Sequence, residues 1–215
     1  MKKIAILILI SITSLSCNNT NKKIDYGNIL NNCFSENEIA ILNETCTQFE
    51  SNLSELYPKE PIGIKYKLYL KDISELNEPT GFVKNSPNNL LDKLKNSSVF
   101  DKIWTKYSAA YYEDDSYEIQ AKTNLENTEI DTAEIPKDFY ITNPKGAYVD
   151  CLLKNQKNIF IEEYLLAVRD IGEISPQILA QGLLESMTES DYDDKPVRLI
   201  IAINLFYEQE FNTSE

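Results

Sequence analysis

The chain has 215 residues and a formal net charge of −13 at neutral pH, with 34 acidic residues against 21 basic ones and no histidine. Nucleic-acid binding depends on lysine and arginine to neutralise phosphates, so we expect no nucleic-acid partner. The absence of histidine excludes Ser-His-Asp and Cys-His catalytic systems and histidine metal ligands. Hydrolysis by a pair of carboxylates is a kind of catalysis that this composition still permits.

The N-terminus has the pattern of an export signal. Lys2 and Lys3 precede a run of apolar or small residues at positions 4–15, and Ser16 and Cys17 follow. A basic start, a short apolar run and a small-residue exit are typical of a secretory signal peptide. The run has 12 residues, fewer than the roughly 20 that a membrane-spanning helix needs. We therefore expect a removable targeting segment.

This segment resembles the signal of bacterial lipoproteins, in which the cysteine after the cleavage site is acylated and begins the mature protein. The resemblance is carried by Ser14-Leu15-Ser16-Cys17. It implies removal of residues 1–16, a lipid on Cys17, and attachment to a membrane of the cell envelope through that lipid. Asn18 follows the cysteine instead of Asp. If the bacterium is Gram-negative, this predicts the outer membrane, with the domain facing the periplasm.

The next segment is polar and rich in asparagine. We expect residues 17–32 to form a flexible tether between the lipid and one domain over residues 33–215. Three cysteines remain in that domain, Cys33, Cys46 and Cys151. An odd number in an oxidising compartment predicts at most one internal disulfide and one free or buried thiol. Their spacing fits neither a zinc site nor a CxxC motif, and we expect no metal and no cofactor.

The first part of the domain contains two predicted helices. Ser35 and Glu38 have the spacing of a capping box, and apolar residues then recur three and four positions apart. This pattern predicts a helix that ends near Pro58. The stretch 62–76 fits a strand or a helix, but its helical set is longer and Pro61 suits a first helical turn, which favours a helix.

The middle of the chain combines aromatic and acidic residues. Ser86-Pro87 predicts the start of a helix, and the stretch 99–111 predicts a further helix with aromatic side chains. The candidate binding strip consists of Trp104, Tyr107, Tyr111 and Tyr112. An exposed aromatic strip can contact a sugar ring or a partner protein, although aromatics at helical spacing also fill cores. Few apolar residues occur in 113–135, which predicts a long acidic loop.

The C-terminal third has regular helix starts at Asn143-Pro144, Asn158, Ser175-Pro176 and Asp194. With the helices before them, they predict an irregular all-α domain of about eight helices.

The last predicted helix is apolar from 197 to 207 except for Arg198 and Asn204, as is typical of an element packed on most sides. An unpaired Arg198 would be costly there, so we expect a partner carboxylate. A structural ion pair is the default interpretation, and a clamp for a ligand carboxylate is the alternative.

An acidic cluster precedes this helix. It is similar to the opening of a calcium loop, but the loop's glycine and final glutamate are missing, and helix capping explains the cluster. The cluster consists of Glu189, Asp191, Asp193 and Asp194.

These observations predict a lipid-anchored envelope protein that binds another envelope protein or a ligand without catalysis, through the aromatic strip and the acidic loop. Three alternatives stay open. One is a histidine-free hydrolase that uses Asp and Glu, another is an immunity-type protein that neutralises a toxin in the periplasm, and the third is a purely structural component of the envelope.

Overall fold

A computed structural model describes residues 24–77, 90–111, 139–172 and 174–213. This part of the chain is mainly helical, which confirms the predicted all-α class. The first five helices are α1 (Glu36–Leu56), α2 (Ile62–Ser74), α3 (Leu90–Lys95), α4 (Ser98–Ile103) and α5 (Tyr107–Tyr111). The next three are α6 (Ala147–Asn155), α7 (Ile159–Ile171) and α8 (Pro176–Ser186). The last, α9, comprises Lys195–Ile200, a π-helical segment Ile201–Tyr207, and Glu208–Thr213.

Several helices begin where the sequence predicts. At the start of α1, Ser35 and Glu38 form both hydrogen bonds of the capping box. The Asn158 side chain accepts from the first backbone amides of α7, and Ser175 accepts from the amide of Ile178 at the start of α8. Helix α7 ends at Gly172, whose φ of 95° suits a residue without a side chain. The ambiguous stretch after Pro61 is helical, as predicted.

The predicted helix over 99–111 is wrong in its middle. Trp104–Lys106 forms a short strand, β1, which pairs antiparallel with β2 at Tyr140–Thr142. The side chain of Asn212 accepts from the backbone N–H of Tyr140 and donates to its carbonyl, at 2.7 and 2.8 Å. The helix is interrupted because the backbone of β1 pairs with β2, which lies more than 30 residues later in the chain. The spacing of apolar residues reports only local structure and cannot predict this pairing.

The folded part begins earlier than predicted. Residues Gly27–Leu30 form a 3₁₀ turn that contacts α1 and α6. Tyr26 and Leu30 are buried, and the backbone N–H groups of Tyr26 and Gly27 donate to Asn43 at 2.7 and 2.9 Å. The expectation of a flexible tether up to residue 32 is therefore wrong for this turn. The predicted start at Ser86-Pro87 and the predicted acidic loop at 113–135 lie outside the described residues.

One hydrophobic core cluster extends from the first turn to the end of α9. Near its centre, the ring of Phe49 on α1 contacts rings from α2 and α9. The ring centroids lie 5.5 Å from Tyr66, 5.0 Å from Tyr69 and 4.8 Å from Phe206. The pairs with Tyr66 and Tyr69 are edge-to-face, a geometry that stabilises aromatic pairs beyond simple area burial.

Helix α9 is buried from Val197 to Tyr207, as its apolar sequence predicts. Its one amide in this stretch, Asn204, has three partners. It accepts from the Tyr148 hydroxyl at 2.9 Å and donates to Thr142 at 2.9 Å and to Tyr164 at 2.8 Å. A buried polar group that is fully hydrogen-bonded avoids the penalty of an unpaired one.

A disulfide joins the segment that follows the 3₁₀ turn to α6. Cys33 and Cys151 are bonded across a sequence separation of 118 residues, and Cys46 is free and buried. This is the arrangement that the odd number of cysteines predicts. A cross-link over so long a loop restricts the unfolded chain and adds about 4–5 kcal/mol to stability in the chain-entropy account.

A buried carboxylate joins the start of α1 to α4. Oε2 of Glu38 accepts from the Ser35 N–H at 2.7 Å and from Lys102 Nζ at 2.8 Å, and Oε1 accepts from the Ser98 hydroxyl at 2.6 Å. Burial opposes ionisation of this carboxyl, but these hydrogen bonds outweigh it and lower the pKa of Glu38 to about 2.

We predict that Glu38→Gln lowers the free energy of unfolding at pH 7 by about 1–3 kcal/mol. Because the folded-state pKa lies below the ordinary value of 4.5, this stabilisation is complete above about pH 5 and is lost as the pH falls towards 2. Urea unfolding of both proteins between pH 7 and pH 2.5 should therefore show their difference shrinking below pH 5.

Glu36→Gln, in the same helical turn and exposed, is the control and should change stability by less than about 0.5 kcal/mol. A difference between the native protein and Glu38→Gln that stays constant down to pH 2.5 would contradict the prediction.

Candidate functional site

The predicted aromatic strip does not form as one exposed surface. Trp104 is 2% exposed, and its ring lies 5.4 Å from Phe100 and 4.8 Å from Phe211. Tyr107 is partly buried, and the side chain of Tyr111 and all of Tyr112 lie outside the described residues. Trp104 is therefore a core residue, and the expectation that it anchors a partner is corrected.

The acidic cluster before α9 has separate structural roles. Asp191 accepts from the backbone N–H of Thr188 at 2.8 Å, Asp193 accepts from Arg198 at 2.6 Å, and Glu189 pairs with Lys67 at 3.5 Å. Among the described residues, no group of three or more His, Cys, Asp or Glu side chains is placed to hold a metal ion.

Arg198 forms the buried ion pair that the sequence predicts. Its Nη1 donates to Oε1 of Glu50 at 3.4 Å, and its Nη2 donates to Asp193 at 2.6 Å. Its Nε donates to the Tyr192 carbonyl at 2.7 Å, and the guanidinium lies over the Tyr66 ring, 5.6 Å from its centroid. Each of the three guanidinium nitrogens thus donates a hydrogen bond within the protein. This supports a structural ion pair over a clamp for a ligand carboxylate.

Two tyrosines complete this buried cluster. The hydroxyl of Tyr66 donates to Glu50 at 3.3 Å, and the hydroxyl of Tyr26 faces the same carboxylate. Burial, with a further contribution from Glu50, raises the pKa of both tyrosines above the ordinary value. Both hydroxyls therefore stay protonated and remain hydrogen-bond donors.

Tyr26 also lines a surface cleft of about 320 Å³, the candidate site. We call it the α6–α9 cleft, because the turn after α6 and the start of α9 form two of its walls and the first turn of the domain forms the third. Its lining comprises Tyr26, Asn28, Ile29, Asn155, Gln156, Lys157, Asn158, Ile161, Asp194, Lys195 and Pro196. The volume lies at the lower end of the range for small-molecule sites.

The cleft has hydrogen-bonding capacity that the described residues do not use. Oε1 of Gln156 is buried and has no hydrogen-bond partner in the described part of the chain. Lys157 and Lys195 are exposed, and neither forms an ion pair with another described residue. Partial burial of its carboxyl raises the pKa of Asp194 above the ordinary value.

Sequence reasoning missed this cleft. Three segments far apart in the chain form it, and the polar run from Asn155 to Asn158 was its only local signal: four hydrophilic residues between two apolar helices. A run of that kind is also typical of an ordinary helix connection, so it does not identify a site by itself.

The chain matches no protein-family model, no curated protein and no solved structure. Within the described ranges, none of the helices combines the length and the apolar character needed to cross a membrane.

We predict that Arg198→Met lowers the free energy of unfolding by about 3–5 kcal/mol, because it leaves the largely buried Glu50 carboxylate without its cation. Replacing both residues, as Arg198→Met with Glu50→Leu, should restore part of that loss. Urea unfolding at pH 7 measures both effects.

Arg169→Met is the matched control, because the Arg169 side chain is 45% exposed and pairs with the exposed Asp170. It should cost less than about 1 kcal/mol. Equal losses for Arg198→Met and Arg169→Met would show that the buried pair has no special structural role.

Proposed function

We propose that this protein is anchored in the cell envelope by a lipid on Cys17 and binds a small polar ligand in the α6–α9 cleft without catalysis. The observation that carries the proposal is the position of the cleft relative to that cysteine. Tyr26, which lines the cleft, follows Cys17 by nine residues. Nine residues span at most about 30 Å. The anchor would therefore hold the cleft within about 30 Å of the membrane surface.

The disulfide supports export of the domain. Disulfides form and persist in oxidising compartments such as the periplasm and are rare in the cytosol. The bond between Cys33 and Cys151 suits the compartment that the N-terminal signal predicts. Location in the outer membrane of a Gram-negative cell is inferred only from Asn18, the residue after Cys17.

The lining of the cleft favours binding over hydrolysis. A histidine-free hydrolase of the kind considered above needs two carboxyl groups that face each other across the substrate. Of the described residues that line the cleft, only Asp194 has a carboxyl group. Amide and ammonium groups make up most of the other polar lining, and such groups hold and orient a ligand.

We predict that Cys17→Ser abolishes both acylation and membrane retention. Cells grown with a radiolabelled fatty acid should incorporate label into the native protein and none into the variant, and fractionation should move the variant out of the membrane pellet. Cys46→Ala, which removes a buried thiol, is the control and should keep the label. Labelled or membrane-bound Cys17→Ser protein would contradict the anchoring proposal.

We also predict the thiol count of the exported protein. With Cys17 acylated and Cys33 bonded to Cys151, only Cys46 should react with a maleimide-polymer tag after denaturation. The protein should then carry one tag before reduction and three after it, which gel mobility measures. Three tags before reduction, in protein trapped with acid directly from cells, would show that the disulfide is absent in the cell.

A further inference from the structure

We propose that the ligand of the α6–α9 cleft is a small zwitterion, with an ammonium group and an anionic group such as phosphate or carboxylate. This inference rests on the proposed ligand-binding function and specifies its chemical class. It is carried by groups of both kinds that line one cleft: two lysines without an ion pair among the described residues, and two acceptors, Gln156 and Asp194.

The donors are Lys157 and Lys195. Lys157 lies in the turn between α6 and α7, and Lys195 is the first residue of α9. Both line the cleft, and no carboxylate of the described residues pairs with either. Two ammonium groups that line one cleft, neither of them ion-paired with another described residue, suit an anionic oxygen group of the ligand.

The acceptors are Gln156 and Asp194. The buried Oε1 of Gln156 lacks a donor within the described part of the chain, and a buried acceptor without a partner is costly. Asp194 adds a carboxylate to the same lining. An ammonium group has three N–H donors, enough for both acceptors, and a bond to Gln156 requires its buried amide oxygen to turn towards the cleft.

The charge of the whole chain favours a zwitterion over a simple anion. The cleft has a local positive balance of two lysines against one aspartate, whereas the chain as a whole has a formal charge of −13. A net negative field repels anions at a distance. A zwitterion has no net charge, so it approaches without that repulsion and still presents an anionic group to the lysines.

Two sources can supply this chemistry near the site. One is the ethanolamine phosphate headgroup of a membrane lipid, which the short reach from Cys17 brings close to the cleft. The other is a soluble solute of similar size. The experiment below uses the soluble headgroup analogue to test the shared chemistry and vesicles to distinguish the sources.

The test is calorimetric titration of the mature protein, purified from membranes in a non-ionic detergent without charged groups. The probes are O-phosphoethanolamine, inorganic phosphate, ethanolamine and glucose. We expect saturable binding of O-phosphoethanolamine with one site per chain, and binding at least tenfold weaker for inorganic phosphate and for ethanolamine, because each carries only one of the two groups.

Variants assign the binding to the cleft. Lys195→Gln and Asp194→Asn should each weaken O-phosphoethanolamine binding at least fivefold, with unchanged thermal unfolding. Lys59→Gln is the matched control, because Lys59 is an exposed lysine in the α1–α2 connection and does not line the cleft. It should leave the affinity unchanged.

The outcomes separate this inference from the proposed function. Binding of glucose alone, lost on Lys195→Gln, would overturn the zwitterion and leave polar-ligand binding in place. Equal affinity for inorganic phosphate and O-phosphoethanolamine would also overturn the zwitterion, whereas no binding of any probe would count against both proposals. Competition by vesicles that contain phosphatidylethanolamine would support the headgroup as the source, and binding without such competition would support a soluble solute.

Discussion

The fold depends on a helix that is buried on all sides. From Val197 to Tyr207, α9 has no solvent-facing residue, so each of its polar side chains must find a partner inside the protein. Arg198 takes a carboxylate from α1, and Asn204 takes hydroxyls from α6, α7 and β2. These bonds tie distant parts of the chain to one helix. They also fix its rotation, because turning α9 would leave both polar groups unpaired.

The sequence predicts features of this fold that are set locally. A capping box, an N-cap asparagine and a serine-proline start depend on residues a few positions apart, and the helices that begin at Ser35, Asn158 and Ser175 follow them. The unbroken apolar run of α9 likewise predicts burial without knowledge of its neighbours. The need for a carboxylate beside Arg198 could be inferred too, but its identity as Glu50 could not, because the two residues are 148 positions apart.

The features that the sequence could not predict are contacts between residues far apart in the chain. Trp104 continues the helical spacing of the residues before it, yet it lies in a strand because Thr142 pairs opposite it. In the same way, the asparagine-rich start of the chain has the composition of a tether. Its few apolar side chains, with Tyr26 and Leu30 among them, pack against helices formed later in the chain. Three such distant segments form the cleft. The sequence therefore predicts most of the helices but not the candidate site.

The disulfide holds two walls of the cleft together. The first turn of the domain forms one wall of the cleft and is also the part of the fold nearest to Cys17 in sequence. A wall formed by the first described residues would fray if only local contacts held it. Here the hydroxyl of Tyr26 faces Glu50 in the buried cluster, and Cys33 is bonded to α6, whose C-terminal turn forms the opposite wall. Asn28 and Ile29 are therefore held on both sides, by Tyr26 before them and Cys33 after them, which keeps this wall in place against α6.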